Sequence, residues 1–343
     1  MKRARIISWL AFGALAVMVM FPTASFAAPA HTIKLGHAVD PGENYAHLTC
    51  VWFKERVEKY TNGQVKVEIY PAGQLGDEPE LVRSIQMGTV QAAFPAVNNF
   101  NVFAPSIGYY TLPYIFETVQ QFRKITDAMW DQNNNWSIKE AGCRMLSVCE
   151  VNFRQLSNSK RPITKLEDLK GLRIRVPQNK IMVEAFASFG VTPVAMAWGE
   201  TFNALQQKVL DGQEVSYNLV RSQKFYEAQK YLTEIAYIAH AGTLVIGEKF
   251  LQSLPKDFQE SIIKAGKEAM ALERDFSDKM FEDDIKFLKS KGMEVFGPPT
   301  DKPEWVKRAK ATYPKVYSVV GGGNADAGKS IIDKIEQLKK TVK

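Results

Sequence analysis

The chain has 343 residues, with 44 Lys and Arg against 37 Asp and Glu and a formal charge of +7. Its basic residues are interspersed with acids, as in Glu55-Arg56-Val57-Glu58-Lys59, which describes a solvated surface and excludes a nucleic-acid stripe. Three cysteines, Cys50, Cys143 and Cys149, with no CxxC spacing, exclude a disulfide framework and read as small buried apolar groups.

At the N-terminus, Lys2, Arg3 and Arg5 precede an apolar run over 6–20 that is interrupted only by Ser8 and Gly13. Phe21-Pro22 breaks the run, and Ser25-Phe26-Ala27 fits a small-x-small cleavage site. This is the layout of a secretory signal peptide over 1–27. An apolar run of about 15 residues is short of the roughly 20 that span a bilayer, which opposes a retained anchor. Cleavage near Ala27 leaves about 316 residues, long for one hydrophobic core, so two domains are expected. It also lowers the charge to about +4, because three cations go with the leader.

A short strand is expected over 32–36 and a helix over 44–61, where Leu48, Trp52, Phe53 and Val57 stand near helical spacing and Asn62-Gly63 ends the run. Residues 64–70 alternate, with Val65, Val67 and Ile69 on one face, as in a half-buried strand. Pro79 suits the first turn of the next helix, which buries Leu81, Val82 and Ile85 and stops near Gly88. Further strands are expected over 90–94, 144–149, 172–176 and 192–195, and helices between them give α/β patterning with sheets covered on both faces. Over 256–292 there is no proline and the apolar positions recur, so one helix of about 55 Å is expected there, unless two helices meet near Gly266. Asp283-Asp284 are expected on its wet face.

Motifs of catalysis are poor. Gly323-Asn324-Ala325-Asp326-Ala327-Gly328-Lys329-Ser330 matches a phosphate-cradling loop and follows a strand-like stretch over 316–320. Only 13 residues follow Ser330, which leaves no room for a downstream acidic strand, so a glycine-rich turn before a terminal helix is the better reading. None of His31, His37, His47 and His240 lies in a zinc-spaced set, and there is no G-x-S-x-G elbow. An exported hydrolase or lyase using His37, His47 and a carboxylate is the alternative reading, and a nucleotide binder at Lys329 the third.

The informative residues are Phe153-Arg154-Gln155, Leu169-Lys170-Gly171-Leu172-Arg173-Ile174-Arg175-Val176-Pro177, Pro193-Val194-Ala195-Met196-Ala197-Trp198-Gly199-Glu200-Thr201-Phe202 and Leu210-Asp211-Gly212-Gln213-Glu214, preceded by Tyr70-Pro71-Ala72-Gly73-Gln74-Leu75-Gly76-Asp77 and Leu112-Pro113-Tyr114-Ile115-Phe116. In these, standing in family order over the mature chain, the sequence resembles the substrate-binding proteins of TRAP (tripartite ATP-independent periplasmic) transporters. The resemblance implies an α/β, two-lobed periplasmic-binding-protein fold with a hinge cleft and a long helix spanning both lobes. Lobe I would take 31–152 and 241–280, and lobe II 153–240 and 281–343. It implies a periplasmic monomer, without enzymatic activity or cofactor, that closes on a small organic anion. The anion passes to the small and large membrane subunits of a transporter driven by an ion gradient; no nucleic acid or metal is involved.

By position, the resemblance makes Arg175 the anion clamp and Arg154 a second arginine. A guanidinium fork meets a carboxylate with two parallel hydrogen bonds. Arg173 and Arg175 share a strand face, so alternation alone does not separate them. Trp198 is expected to line the pocket. Asn98, Asn99 and Phe100, and more weakly Tyr45 and His37, are further candidates. The sequence departs from the family after Glu214: sugar-acid binders commonly place a ligand-touching Asn there, but this chain has Val215-Ser216-Tyr217-Asn218, leaving Tyr217 or Asn218 to replace it. Pro95-Ala96-Val97 is apolar too. A pocket smaller or less polar than one for a polyhydroxylated acid is therefore expected, suiting a short mono- or dicarboxylate, a keto acid, a small sulfonate, or an aromatic acid stacked on Trp198.

Overall fold

The computed structural model describes residues 30–341, so the leader expected over 1–27 lies outside the described residues. Two sheets form. The first contains β1 (His31–Gly36), β2 (Val65–Tyr70), β3 (Ala92–Ala93), β4 (Cys143–Phe153) and β10 (Ala239–Gly247), in the order β2-β1-β3-β10-β4. The second contains β5 (Gln155–Asn158), β6 (Arg173–Val176), β7 (Thr192–Ala195), β8 (Gly212–Val215), β9 (Tyr231–Thr233) and β11 (Glu294–Phe296), in the order β11-β9-β5-β8-β6-β7. Parallel pairs, such as β1 with β2 and β6 with β7, need helical crossovers, which supply the covering layers.

Local chemistry sets the element ends near where the sequence places them. Asn44 caps the helix Tyr45–Tyr60, its side chain accepting from the His47 N–H. Asp77 and Glu80 form a reciprocal capping box on the helix Glu78–Met87, with Pro79 in the first turn and Gly88 closing it at φ 78°. The three cysteines are free and buried, and burial raises each thiol's pKa, so none is poised as a thiolate.

The chain crosses between the sheets at three places. β4 runs through Arg154 straight into β5; residues 234–238 return from β9 to β10; and the helix Lys256–Ser290 passes along both. That helix has 35 residues, about 52 Å at 1.5 Å per residue, and does not break at Gly266. A Cβ on Gly266 would lie 2.6 Å from the Leu146 Cβ and 2.8 Å from the Leu146 carbonyl oxygen, so glycine lets the helix pack directly on β4. Its buried residues, Gln259, Ile262, Ala265, Gly266, Ala269, Glu273, Ser277, Asp284 and Leu288, form one helical stripe, mostly at three- and four-residue steps with a step of seven, two turns, from Ser277 to Asp284. Asp284 belongs to this stripe and is buried, unlike the expectation for the pair; Asp283 is the exposed member and pairs with Lys286.

One expectation fails at the C-terminus. Residues 316–320, read as strand-like, lie in the helix Tyr313–Val320; Pro314 sits in its first turn and Tyr313, Val316 and Val320 bury one face. This helix and the helix Ala325–Thr341 pack into the core around Tyr109, Tyr110 and Phe122. The Tyr313 hydroxyl donates to the Pro113 carbonyl at 2.8 Å.

Candidate functional site

Both arginines of β6 point from one strand face, but they meet different surroundings. Arg173 opens the strand, is half-exposed, and bonds Asp211 at 3.2 Å and the Lys208 carbonyl at 2.9 Å. Arg175 lies near the carboxyl end, where parallel strands open onto the space between the sheets. It is 2% exposed. Its Nε and Nη2 donate to the Met196 carbonyl at 3.1 and 2.8 Å, and its guanidinium carbon lies 5.6 Å from the Trp198 ring centroid. Among the described residues no carboxylate comes within ion-pair distance of it. Burial lowers its pKa from 12.5 to about 10; Glu214 and Glu78 oppose the fall and Arg154 adds to it. Arg175 thus stays cationic at neutral pH without a partnered anion.

Arg154 has the opposite arrangement. At the β4–β5 crossing its Nε and Nη2 meet the Glu214 carboxylate at 2.5 and 2.9 Å, and Nη2 also donates to the Glu214 carbonyl at 2.8 Å. The Tyr237 hydroxyl completes the set, donating to Glu214 at 2.7 Å. Burial disfavours the Arg154 charge, but Glu214 outweighs it and raises the pKa. The pair is neutralised within the protein, which leaves Arg154 little charge to offer a ligand.

A cavity of about 340 Å³ separates the sheets, walled by Arg175, Met196 and Trp198 on one side and by Ala38, Glu78 and Asn99 on the other. A recess of about 20 Å³ extends inward past Tyr45, Asn98, Arg154 and His240. A groove of about 570 Å³ elsewhere, beside Met87 and Phe250, is larger, but no arginine lines it. The structure therefore brings together Arg175, Arg154, Trp198, Asn98, Asn99 and Tyr45. Trp198 is also held edge-on by Phe225, with centroids 5.4 Å apart.

The other candidates stand elsewhere. Phe100 is wholly buried in the core with Ile107 and Phe122, because it falls on the inner face of the short helix Val97–Phe100. Tyr217 donates to Glu234 at 2.7 Å, and Asn218 donates to Asp284 at 3.2 Å while accepting from the Tyr45 N–H at 3.3 Å. Both border a separate recess against the long helix, because the turn after Val215 aims them there. His37 and His47 face each other, Nε2 to Nδ1, at 3.1 Å. Burial, then His47, lowers the His37 pKa to about 4, and neither ring has a carboxylate partner among the described residues. The acid–base set of the hydrolase reading is not assembled. Lys329 lies inside a helix, paired with Asp333 at 2.6 Å, so the phosphate-loop match has no loop.

Among the lining residues that sequence reasoning missed, two are titratable and buried. Glu78 is 7% exposed, held by the Asn99 side-chain amide and the Ala96 N–H, and burial raises its pKa against those bonds and the charges of Arg175 and Arg154. A cue was present: it is the first helical residue after the glycine-rich turn 73–76. His240 is buried; its Nδ1 lies 3.2 Å from the Ser216 N–H and 2.8 Å from the Ser216 hydroxyl, and burial with Arg154 and Arg175 nearby lowers its pKa well below the usual range. It is neutral, with its proton on Nε2 if Nδ1 accepts from the Ser216 N–H.

Across the cavity the walls already touch. Asn179 Nδ2 donates to the Asn98 carbonyl at 2.6 Å and to Asn101 Oδ1 at 2.8 Å, and Arg221 reaches Glu43 at 3.5 Å.

Comparison with known proteins agrees with this geometry. Residues 35–319 match the family described as bacterial extracellular solute-binding protein, family 7. A solute-binding protein of Roseobacter denitrificans is 32% identical over 284 residues, 82% of this chain and 86% of its own. Among solved structures, a TRAP periplasmic solute-binding protein of Rhodobacter sphaeroides in an apo open form is 38% identical, with TM-score 0.75, covering 90% of this chain and 99% of its own. One from Haemophilus influenzae with bound L-gulonate is 30% identical, with TM-score 0.82, covering 90% and 99%.

Proposed function

We propose that this chain, which belongs to family 7 of the bacterial extracellular solute-binding proteins, captures a small organic anion between its two sheets and delivers it to TRAP membrane subunits. The observation that carries the reading is Arg175: a buried guanidinium that borders the cavity and lacks an anion of its own. A carboxylate entering there gains two charge-assisted hydrogen bonds from a guanidinium that is itself almost wholly buried. The relative with bound L-gulonate supports an acid as guest.

Capture works by closure. Arg175, Trp198 and Met196 present the guest from one side, and Glu78 and Asn99 cover it from the other. A ligand touching both walls favours the closed arrangement only by the extra contacts it makes there. The lobes follow the sheets, joined at the three crossings, with the helices after residue 313 moving with the first. The protein acts in the periplasm as a monomer, after loss of its leader near Ala27, and binds and releases without turnover.

Thermal-shift screening of the mature protein against organic acids, sulfonates, neutral sugars and nucleotides tests this. Stabilisation by an acid, unconsumed during the assay and lost in Arg175→Ala, is expected. Conversion of the acid to product, or stabilisation by neutral sugars or nucleotides alone, would overturn it.

A further inference from the structure

We propose that Glu78 selects a monocarboxylate bearing hydroxyl groups and rejects dicarboxylates, by accepting the hydroxyls while Arg175 holds the carboxylate. The inference rests on the anion-capture reading above and names its substrate class.

Glu78 and Arg175 border the same cavity and the same inner recess, one from each wall. The Glu78 carboxylate is fixed in place by the Asn99 amide and the Ala96 N–H. A carboxylate offers about four acceptor positions, so lone pairs remain for donors from a ligand. The acids beside it are less buried and face one another across the helix cap: Glu80 is exposed and Asp77 half-buried, Asp77 accepting from the Glu80 N–H and Glu80 from the Asp77 N–H, both at 2.9 Å. Glu78 is thus the buried acceptor on this wall, the one whose charge solvent screens least.

The charges decide the ligand. Arg154 is neutralised by Glu214, so the cavity holds one unmatched cation, Arg175, facing one buried acid. A dicarboxylate would satisfy Arg175 with one end and set its other end against Glu78, a like-charge contact in a desolvated site. A hydroxyl donates to Glu78 without adding charge. An ammonium would also donate, but Glu78 opens the helix Glu78–Met87, whose N-terminal end is positive and disfavours a cation. The expectation of a less polar pocket, drawn from Val215 and Pro95-Ala96-Val97, considered other walls; Glu78 supplies the polar group from the helix.

Calorimetry near neutral pH on matched series of four and six carbons tests the proposal. Each series contains the plain monocarboxylate, the polyhydroxylated monocarboxylate, the terminal amino acid and the dicarboxylate. The hydroxylated acid is expected to bind at least about tenfold tighter than the dicarboxylate at one or both lengths. Glu78→Gln keeps a carbonyl acceptor and removes the charge, so it should narrow that ratio about tenfold or more, mainly by admitting the dicarboxylate. A wild-type dicarboxylate affinity equal to that of the hydroxylated acid, a ratio unmoved by Glu78→Gln, or tightest binding by the amino acid would each overturn it. Loss of preference with acids still binding removes the role of Glu78 alone. Silence of every acid, in these series and in the wider panel, removes anion capture with it.

Discussion

Replacing Arg175 with Met should leave the unliganded protein about as stable as the wild type while removing anion capture. Burial drops the Arg175 pKa from 12.5 to about 10, and at about 1.36 kcal/mol per pH unit the charged form is disfavoured by roughly 3 kcal/mol. Against this stand hydrogen bonds from a charged donor to the Met196 carbonyl, worth about 1.5–3 kcal/mol, and the contact with Trp198, worth about 0.5–2 kcal/mol. The two sides nearly cancel, so a methionine that fills the space should move unfolding by no more than about 1–2 kcal/mol. With a ligand the balance differs, because the anion supplies the missing countercharge. Affinity should fall by at least about 2 kcal/mol, roughly 30-fold. Urea unfolding without ligand, paired with calorimetry on whichever acid stabilises the wild type, separates the effects. A loss of more than about 3 kcal/mol in the unliganded protein would mean that the charge is already compensated there. Affinity within a few-fold of wild type would remove Arg175 as the clamp.

Arg154→Met is the contrasting case: it strands the buried Glu214 carboxylate and should cost about 3–5 kcal/mol of stability, with Glu214→Gln recovering part of it in the double variant, as read by urea midpoints. Asp284 has its pKa raised from 3.8 to about 6 by burial, against the opposing effects of Asn218 and Arg221. The folded protein therefore binds more protons than the unfolded chain between those values, and the contribution of Asp284 to stability falls as pH rises through that window. Asp284→Asn should remove that slope: its melting temperature should gain on the wild type between pH 4 and pH 6, by the equivalent of up to about 3 kcal/mol, and a parallel pair of melting curves across that range would refute the assignment. Gly266→Ala should destabilise by about 1–3 kcal/mol, because its Cβ would strike the Leu146 backbone, and a neutral effect in thermal melts would mean that helix and strand separate easily there.

Much of this was legible in the sequence, because period and punctuation act locally. Asn44, Asp77, Pro79 and Gly88 set helix ends by their own hydrogen bonds and φ angles, and those need no tertiary contact. The long helix was legible because an apolar stripe without proline has few alternatives. What was not legible depends on which wall a residue meets. Arg173 and Arg175 are equivalent by alternation, and it is their places along β6, at its start and near its carboxyl end, that give them different surroundings. Glu78 looks like an ordinary first-turn acid until the second sheet closes over it. Asp284 shares a dipeptide with the exposed Asp283, and only counting seven from Ser277 places it on the buried stripe. The β-branched residues of 316–320 suggested a strand, and Pro314 with the spacing of Tyr313, Val316 and Val320 favoured a helix instead. Tyr217 and Asn218 answer to the long helix, a partner distant in sequence.

The three crossings carry a consequence for selectivity. A door hung on three knuckles can swing but cannot slide, and two sheets tied at Arg154, at residues 234–238 and along one uninterrupted helix are held in the same way. A guest slightly too long would not be accommodated by lateral slip; it would prop the jaws ajar and forfeit contacts such as Asn179 to Asn98. Length discrimination would then be read out as an angle, which small-angle scattering across a homologous series of acids can measure.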